Sequence, residues 1–377
     1  MRLQNIKNNE LLILRSSVGH DILTRSPHPP PTRSKERCCR YASRSSPSLF
    51  TNFFFVVRFS FVRFLNRALQ ISVAKMQFVV GMNEKHETVF TKVSVYFSIL
   101  DTQVLDGLYE KLVEHRGIKA LQIFWANALN EDFVEFMKKV PSTSLTEMLF
   151  LNGTLPERAI HALATVIKGS SLNKLDFKSI EIDTKCAMIA LANVVRNGGI
   201  EYLRLGHNRI GLGGVTHLAR VLSEGTCALK ILKLKDNYIC DAGVAALAKA
   251  LPNTRIEELK LNMNEITEVG VAEICKAVKS TPTIVKLALD HNCLRDTSAT
   301  IIAELIRSHP MKEMSLKSNS FTDKGVVHFA NAIAESITLE HLYLRKNVRI
   351  TSGSVDVGSS MTSLVSSPEL TPTRHKL

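Results

Sequence analysis

The chain of 377 residues contains a single tryptophan and only seven cysteines, and it has no motif that would assemble a catalytic centre. There is no G-x-x-x-x-G-K-[ST] to cradle a nucleotide phosphate, and no H-E-x-x-H, G-x-S-x-G or paired C-x-x-C. These absences argue against a nucleotide-driven enzyme, a zinc protease, a serine hydrolase and a zinc-cysteine module. No cofactor or metal is expected. The cysteines are odd in number and none has metal-ligand spacing, which points to a reducing compartment and a cytoplasmic setting, with the nucleus as an alternative. No apolar run reaches the roughly 20 residues a membrane helix needs.

Acidic residues are scarce in one region. The net charge is +13, but residues 1–75 hold thirteen basic against three acidic residues, a net +10, which leaves +3 for the rest. The global charge is therefore a poor argument for nucleic-acid binding. His28-Pro-Pro-Pro31 and the Ser/Arg cluster Ser34 to Ser46 read as disordered. A Phe-rich stretch follows, broken by Arg58 and Arg63. Three readings of residues 1–75 stay open: a dispensable or untranslated extension, an organelle transit peptide, and a basic amphipathic helix over 58–75 that touches a membrane surface. Residues 351–377 form a Ser/Thr/Pro tail with Ser367-Pro368 and Thr371-Pro372, two potential phosphorylation sites.

Between these ends one phrase returns every 27 to 29 residues: apolar, two variable, apolar, one variable, apolar, two variable, Asn. Ile200-Glu-Tyr-Leu203-Arg-Leu205-Gly-His-Asn208 is one copy, and Leu229 to Asn237 the next. First positions fall at Leu145, Leu172, Ile200, Leu229, Ile256, Ile284, Met311 and Leu339, with Ile118 and Phe90 extending the register upstream. The first half of each copy alternates as a half-buried strand does. The second half has helical spacing, as in Val244, Leu247, Ala250 and Leu251, with Asp241 and Thr267 as helix-start signals. Asn208, Asn237, Asn264, Asn292, Asn319 and Asn347 are expected to turn the chain and to satisfy inward-facing backbone groups. Ala126, Gly153 and Ile180 fill that slot in the earlier copies.

This pattern is that of a leucine-rich repeat, and its long, helix-bearing period resembles the ribonuclease-inhibitor type. The resemblance covers residues 90 to 350. It implies an α/β solenoid of about nine to ten repeats over residues 76–350, a horseshoe with a parallel concave sheet and convex helices. The repeat domains of Ran GTPase-activating protein and of intracellular immune receptors are similar. Secreted members of this class resemble one another in disulfide-closed caps, which are not evident here. The fold says little about function.

Gly211-Leu-Gly213-Gly214 superficially resembles a dinucleotide loop but lacks the third glycine of that fingerprint and reads as a repeat loop. His207 and His291 share a slot three strand steps apart, about 14 Å, too far to share one metal ion. On the expected concave face, the fifth and seventh columns of the motif hold seven basic residues against Asp176 and Asp290, and the third column offsets them little. Tyr202, Arg204, Lys233, Lys235, Lys260, Tyr343 and Arg345 are the expected contacts to an acidic protein surface. Phe124 and Trp125 are a second candidate patch, unless the unit from Phe90 to Leu112 folds over them as a cap. The expected function is a non-catalytic protein-binding scaffold. The alternative implied by the resemblance is a regulator of a small GTPase, although residues 351–377 lack that family's acidic tail.

Overall fold

The computed structural model describes residues 75–82, 88–96, 100–127, 131–180, 182, 184–347 and 350. The expectations for the N-terminal extension before Lys75 and for the Ser/Thr/Pro tail lie outside them. All described residues belong to one unit, Arg63–Leu377.

Eleven strands form one sheet in chain order. They are β1 (Lys75–Met82), β2 (Thr88–Tyr96), β3 (Ala120–Asn127), β4 (Glu147–Thr154), β5 (Lys174–Lys178), β6 (Tyr202–Arg204), β7 (Ile231–Lys233), β8 (Glu258–Lys260), β9 (Lys286–Ala288), β10 (Glu313–Ser315) and β11 (His341–Tyr343). From β2 onward every pairing is parallel, and each links the same motif position in successive copies, as in Leu203 with Leu232. The strand β1 differs: it runs antiparallel to β2 and adds an edge that the repeat period does not encode.

Nine α-helices occur among the described residues: α1 (Thr102–Glu114), α2 (Glu131–Lys139), α3 (Glu157–Val166), α4 (Lys185–Asn197), α5 (Gly211–Leu222), α6 (Cys240–Ala250), α7 (Glu268–Lys279), α8 (Asp296–Ser308) and α9 (Asp323–Glu335). Their apolar stripes pack on one face of the sheet. Val244, Leu247, Val271, Ile274, Ile302 and Leu305 are fully buried, as are the strand residues Leu203, Leu232 and Leu259 that they meet. Alternating strands and helices thus share one continuous core, the arrangement of a solenoid.

The asparagine series forms a buried ladder. Asn264 Oδ1 accepts from the backbone N–H of Asn237 at 3.0 Å, and its Nδ2 donates to the Leu234 carbonyl at 2.8 Å. Asn237 serves Asn208 in the same way, and Asn347 serves Asn319. Each amide replaces backbone partners that the turn would otherwise strand in the core. The ladder begins at Ile180, whose N–H donates to Asn208 Oδ1 at 2.8 Å. Upstream, where Ala126 and Gly153 stand instead, β3 and β4 run on for eight residues each rather than three. Without the amide to turn the chain, the backbone stays in the sheet and pairs Ala126 with Gly153.

Two helix signals work differently from the expectation. Thr267 is the N-cap of α7, accepting from Val269 N–H at 3.3 Å. Asp241 lies inside α6 rather than before it, and its carboxylate reaches sideways to the next copy, accepting from Thr267 and Gly270. The loop at Gly211 opens α5 as a repeat loop.

Candidate protein-binding face

The alternation of the strands leaves the third, fifth and seventh motif positions on the face turned away from the helices. Their neighbours at the fourth and sixth positions are buried. In register along the fifth column stand Leu149, Asp176, Arg204, Lys233 and Lys260. Adjacent strands lie about 4.8 Å apart, so Arg204, Lys233 and Lys260 form a close row of cations.

That row is more strongly compensated than its sequence suggests. Glu258, in the third column, sits between two lysines, 3.1 Å from Lys233 and 3.0 Å from Lys260. Burial pushes the Glu258 carboxyl up, but the hydrogen bonds and charges of Lys260 and Lys233 outweigh it and hold the group below its ordinary range. Arg204 leans on Asp176 at 3.2 Å. Asp176 is almost wholly buried, and its Oδ1 accepts no hydrogen bond. Desolvation therefore raises the Asp176 carboxyl above its ordinary range, against the opposing pull of Arg204. The third column also pairs Lys174 with Glu147 at 2.8 Å and Lys286 with Glu313 at 3.4 Å.

Tyr202 lies beneath two of these cations, with the Lys174 and Lys233 ammonium groups 5.3 and 5.0 Å from its ring centroid. Burial raises its phenol. At the far end Lys317 stands 4.2 Å over Tyr343. Lys178 and Lys235, in the seventh column, form no ion pair among the described residues. Asp290 accepts from Asn262, from the Ser315 hydroxyl and from the Lys317 backbone N–H.

The structure brings Tyr202, Arg204, Lys233, Lys235 and Lys260 together on β6–β8 and the residues just after them. Tyr343 and Arg345 stand three strand steps further on, at β11. Phe124 lies on β3 and stacks on Tyr96 of β2, with ring centroids 4.7 Å apart and planes 5° from parallel. The Trp125 side chain lies outside the described residues. The unit from Phe90 does not fold over this end. It joins the sheet edge-on as β2 and α1, so Phe124, Leu149 and Leu151 stay half-buried. Tyr96, which is continuous with this patch, is not among the expected contacts, and Glu258 of the third column offsets the lysines more than its column suggests. The first signals itself by alternation in β2. The second follows only from cross-strand geometry.

His207 pairs with one carboxylate rather than joining a set of ligands. Its Nδ1 is 2.6 Å from Asp236 Oδ2. Among the described residues no group of three His, Cys, Asp or Glu side chains is placed to hold an ion, and no helix is long and apolar enough to cross a membrane.

No family model matches the chain. Over 169 residues it is 23% identical to the protein phosphatase 1 regulatory subunit 37 homolog of Caenorhabditis briggsae, a match that takes in 44% of this chain and 18% of that protein. The chain therefore spans less than a fifth of that relative's length. Among solved structures it is similar to the one titled "Crystal structure of Rad7 and Elc1 complex in yeast", with 16% identity and a TM-score of 0.49, over 68% of this chain and 63% of that one. The repeat period, the parallel ladder of like positions and the buried asparagines define a leucine-rich-repeat-type protein.

Proposed function

We propose that this protein is a non-catalytic scaffold that holds a partner protein against the helix-free face of its sheet. In this reading the sheet lines the concave side of a ribonuclease-inhibitor-like horseshoe, and the partner presents an acidic surface. The observation that carries it is the composition of that face. Ten basic residues stand in the three outward columns from Lys92 to Arg345 against five acidic ones, and tyrosines lie between them. Aromatic rings and cations held side by side are frequent anchors at protein interfaces. The name of the relative, a regulatory subunit homolog of protein phosphatase 1, supports a regulatory binding role. It makes that phosphatase the first candidate partner to test.

The test is affinity capture from native lysate with the full chain and with an Arg204→Glu/Lys233→Glu/Lys260→Glu variant. A partner held by the first and released by the second supports the reading, provided the variant melts as the parent does. Identical partner lists would refute it. Adding candidate small GTPases and measuring GTP hydrolysis tests the alternative: stimulation lost in the same variant would replace a passive scaffold with a GTPase regulator.

A further inference from the structure

Gly206 occupies the seventh column between Lys178 and Lys235, and among the described residues it is the only glycine in that column. The backbone ladder runs straight through it: Ser179 N–H donates to the Gly206 carbonyl, and His207 N–H to the Lys235 carbonyl. Its side-chain position therefore faces outward as those of Lys178 and Lys235 do. A Cβ built there would meet only the Lys235 carbonyl, at an ordinary 3.6 Å. No strain or crowding requires glycine. The result is a position without a side chain between two lysines about 10 Å apart, although the Gly206 backbone itself is buried, so a ligand group enters only if the flanking side chains part.

Arg204 stands two residues earlier on the same face. It donates one hydrogen bond to the buried Asp176, which holds the guanidinium beside the gap with other N–H groups left to offer. Of the neighbouring carboxylates, Asp176 engages Arg204 through Oδ2 alone, with Oδ1 accepting no hydrogen bond, and Asp236 pairs with His207. Two strand steps from Gly206, across β5, lie Leu149 and Leu151 of β4, which continue into Phe124 and Tyr96.

We propose that the notch over Gly206 takes a glutamate or aspartate side chain of a protein segment, held by Lys178, Arg204 and Lys235. An apolar anchor of the same segment rests on Leu149, Leu151 and Phe124. This rests on the scaffold reading and names the partner's chemistry. The notch and the apolar patch are about 10–15 Å apart, which an extended peptide spans with three to four residues. A polynucleotide fits less well, because Glu147, Asp176, Glu258 and Asp290 interrupt the face and would repel a continuous line of phosphates.

The full-length protein is titrated with a fluorescein-labelled peptide carrying Phe-Leu, a three-residue Gly/Ser spacer and three glutamates, and with the same parts in reverse order. Controls replace glutamate by glutamine, or Phe-Leu by Gly-Ser. At least one order should bind about tenfold more tightly than its glutamine analogue, and should weaken when the anchor is removed. Gly206→Leu, whose Cβ meets no backbone atom closer than 3.6 Å, and Lys235→Glu should abolish the glutamate preference. Lys249→Glu, on α6, should keep it, and thermal melts should show all three variants folded. Equal binding of glutamate and glutamine peptides, or a preference that survives Gly206→Leu, would overturn the notch. So would a uridine oligonucleotide that binds more tightly and is lost in the same variants. If a lysate partner is still released by the triple charge reversal while the peptides show no preference, the notch falls and the scaffold stands. If no partner is captured, the scaffold fails independently.

Discussion

The carboxylate of Asp241 accepts hydrogen bonds from both the backbone N–H and the hydroxyl of Thr267, at 2.8 and 2.5 Å. The two residues are 26 positions apart in sequence and one copy apart in space. Asp296 repeats the arrangement with Thr322 at 2.8 and 2.6 Å. Each aspartate caps the following helix from the helix before it, so successive copies are joined by charge-assisted bonds as well as by the apolar core.

Asp241→Ala should therefore destabilise the protein by about 1–2 kcal/mol, the usual cost of a lost cap. Gly270→Ala should also destabilise it, because its new Cβ would collide with Asp241 Oδ1. In the Asp241→Ala background that collision disappears, so the cost of Gly270→Ala should shrink. Urea denaturation of the four proteins as a double-mutant cycle measures the coupling. Strict additivity would count against the lateral cap.

Asn264→Ala should cost more, about 3 kcal/mol or above, because it strands the buried N–H of Asn237 and the carbonyl of Leu234 together. Asn264→Asp keeps the acceptor but loses the donor to Leu234, and should also destabilise. Equilibrium unfolding gives the loss. Amide exchange should localise it to the turns around Asn237 and Ile239.

Asp176 and Glu258 should respond oppositely to pH. The Asp176 carboxyl is raised, so the folded state holds its proton more tightly than the unfolded chain does. Its stabilising contribution is present below the unfolded pKa and is lost as pH rises through the folded one. Asp176→Asn should thus melt higher than the parent at pH 7, with the difference closing toward acid. The Glu258 carboxyl is lowered, so its contribution is present above the unfolded pKa and lost as pH falls through the folded one. Glu258→Gln should melt lower than the parent at pH 7, with that deficit also closing toward acid. Melting curves across pH 3–8 would show both.

Cys275 is buried, and desolvation pushes its thiol up to about 12. Cys227 is also buried, whereas Cys186 and Cys293 are exposed. Brief iodoacetamide treatment at pH 7.5 should alkylate Cys186 and Cys293 and spare Cys275 and Cys227 until denaturant is added. Peptide mass mapping reads this directly, and early labelling of Cys275 would contradict the packing of α7.

The fold was legible wherever one residue type repeats. Leu203, Leu232 and Leu259 announce the strands, and Asn208 to Asn347 announce the turns, because the same burial recurs in each copy. The strand β1 was not legible, since Lys75–Met82 pairs antiparallel at an edge and lies outside the period. The candidate face was legible in its columns but not in its pairings. Arg204, Lys233 and Lys260 read as a row that the third column offsets little, whereas Glu258 reaches two of them and Asp176 the third. Such contacts depend on side-chain rotamers across strands, which spacing does not encode. Asp241 reads in the sequence as a cap of its own helix and instead caps the next, because the sequence shows which groups can accept a hydrogen bond and not which neighbour supplies the donor.

Partner binding through the helix-free sheet face can be probed with a photoreactive residue placed at Lys235, on that face, or at Lys249, on α6, in cells expressing the full chain. Position 235 should give a discrete crosslinked partner that is absent from 249 and is suppressed by the Arg204→Glu/Lys233→Glu/Lys260→Glu background. Crosslinks from 249 alone, or crosslinks from 235 that ignore the charge reversal, would contradict it.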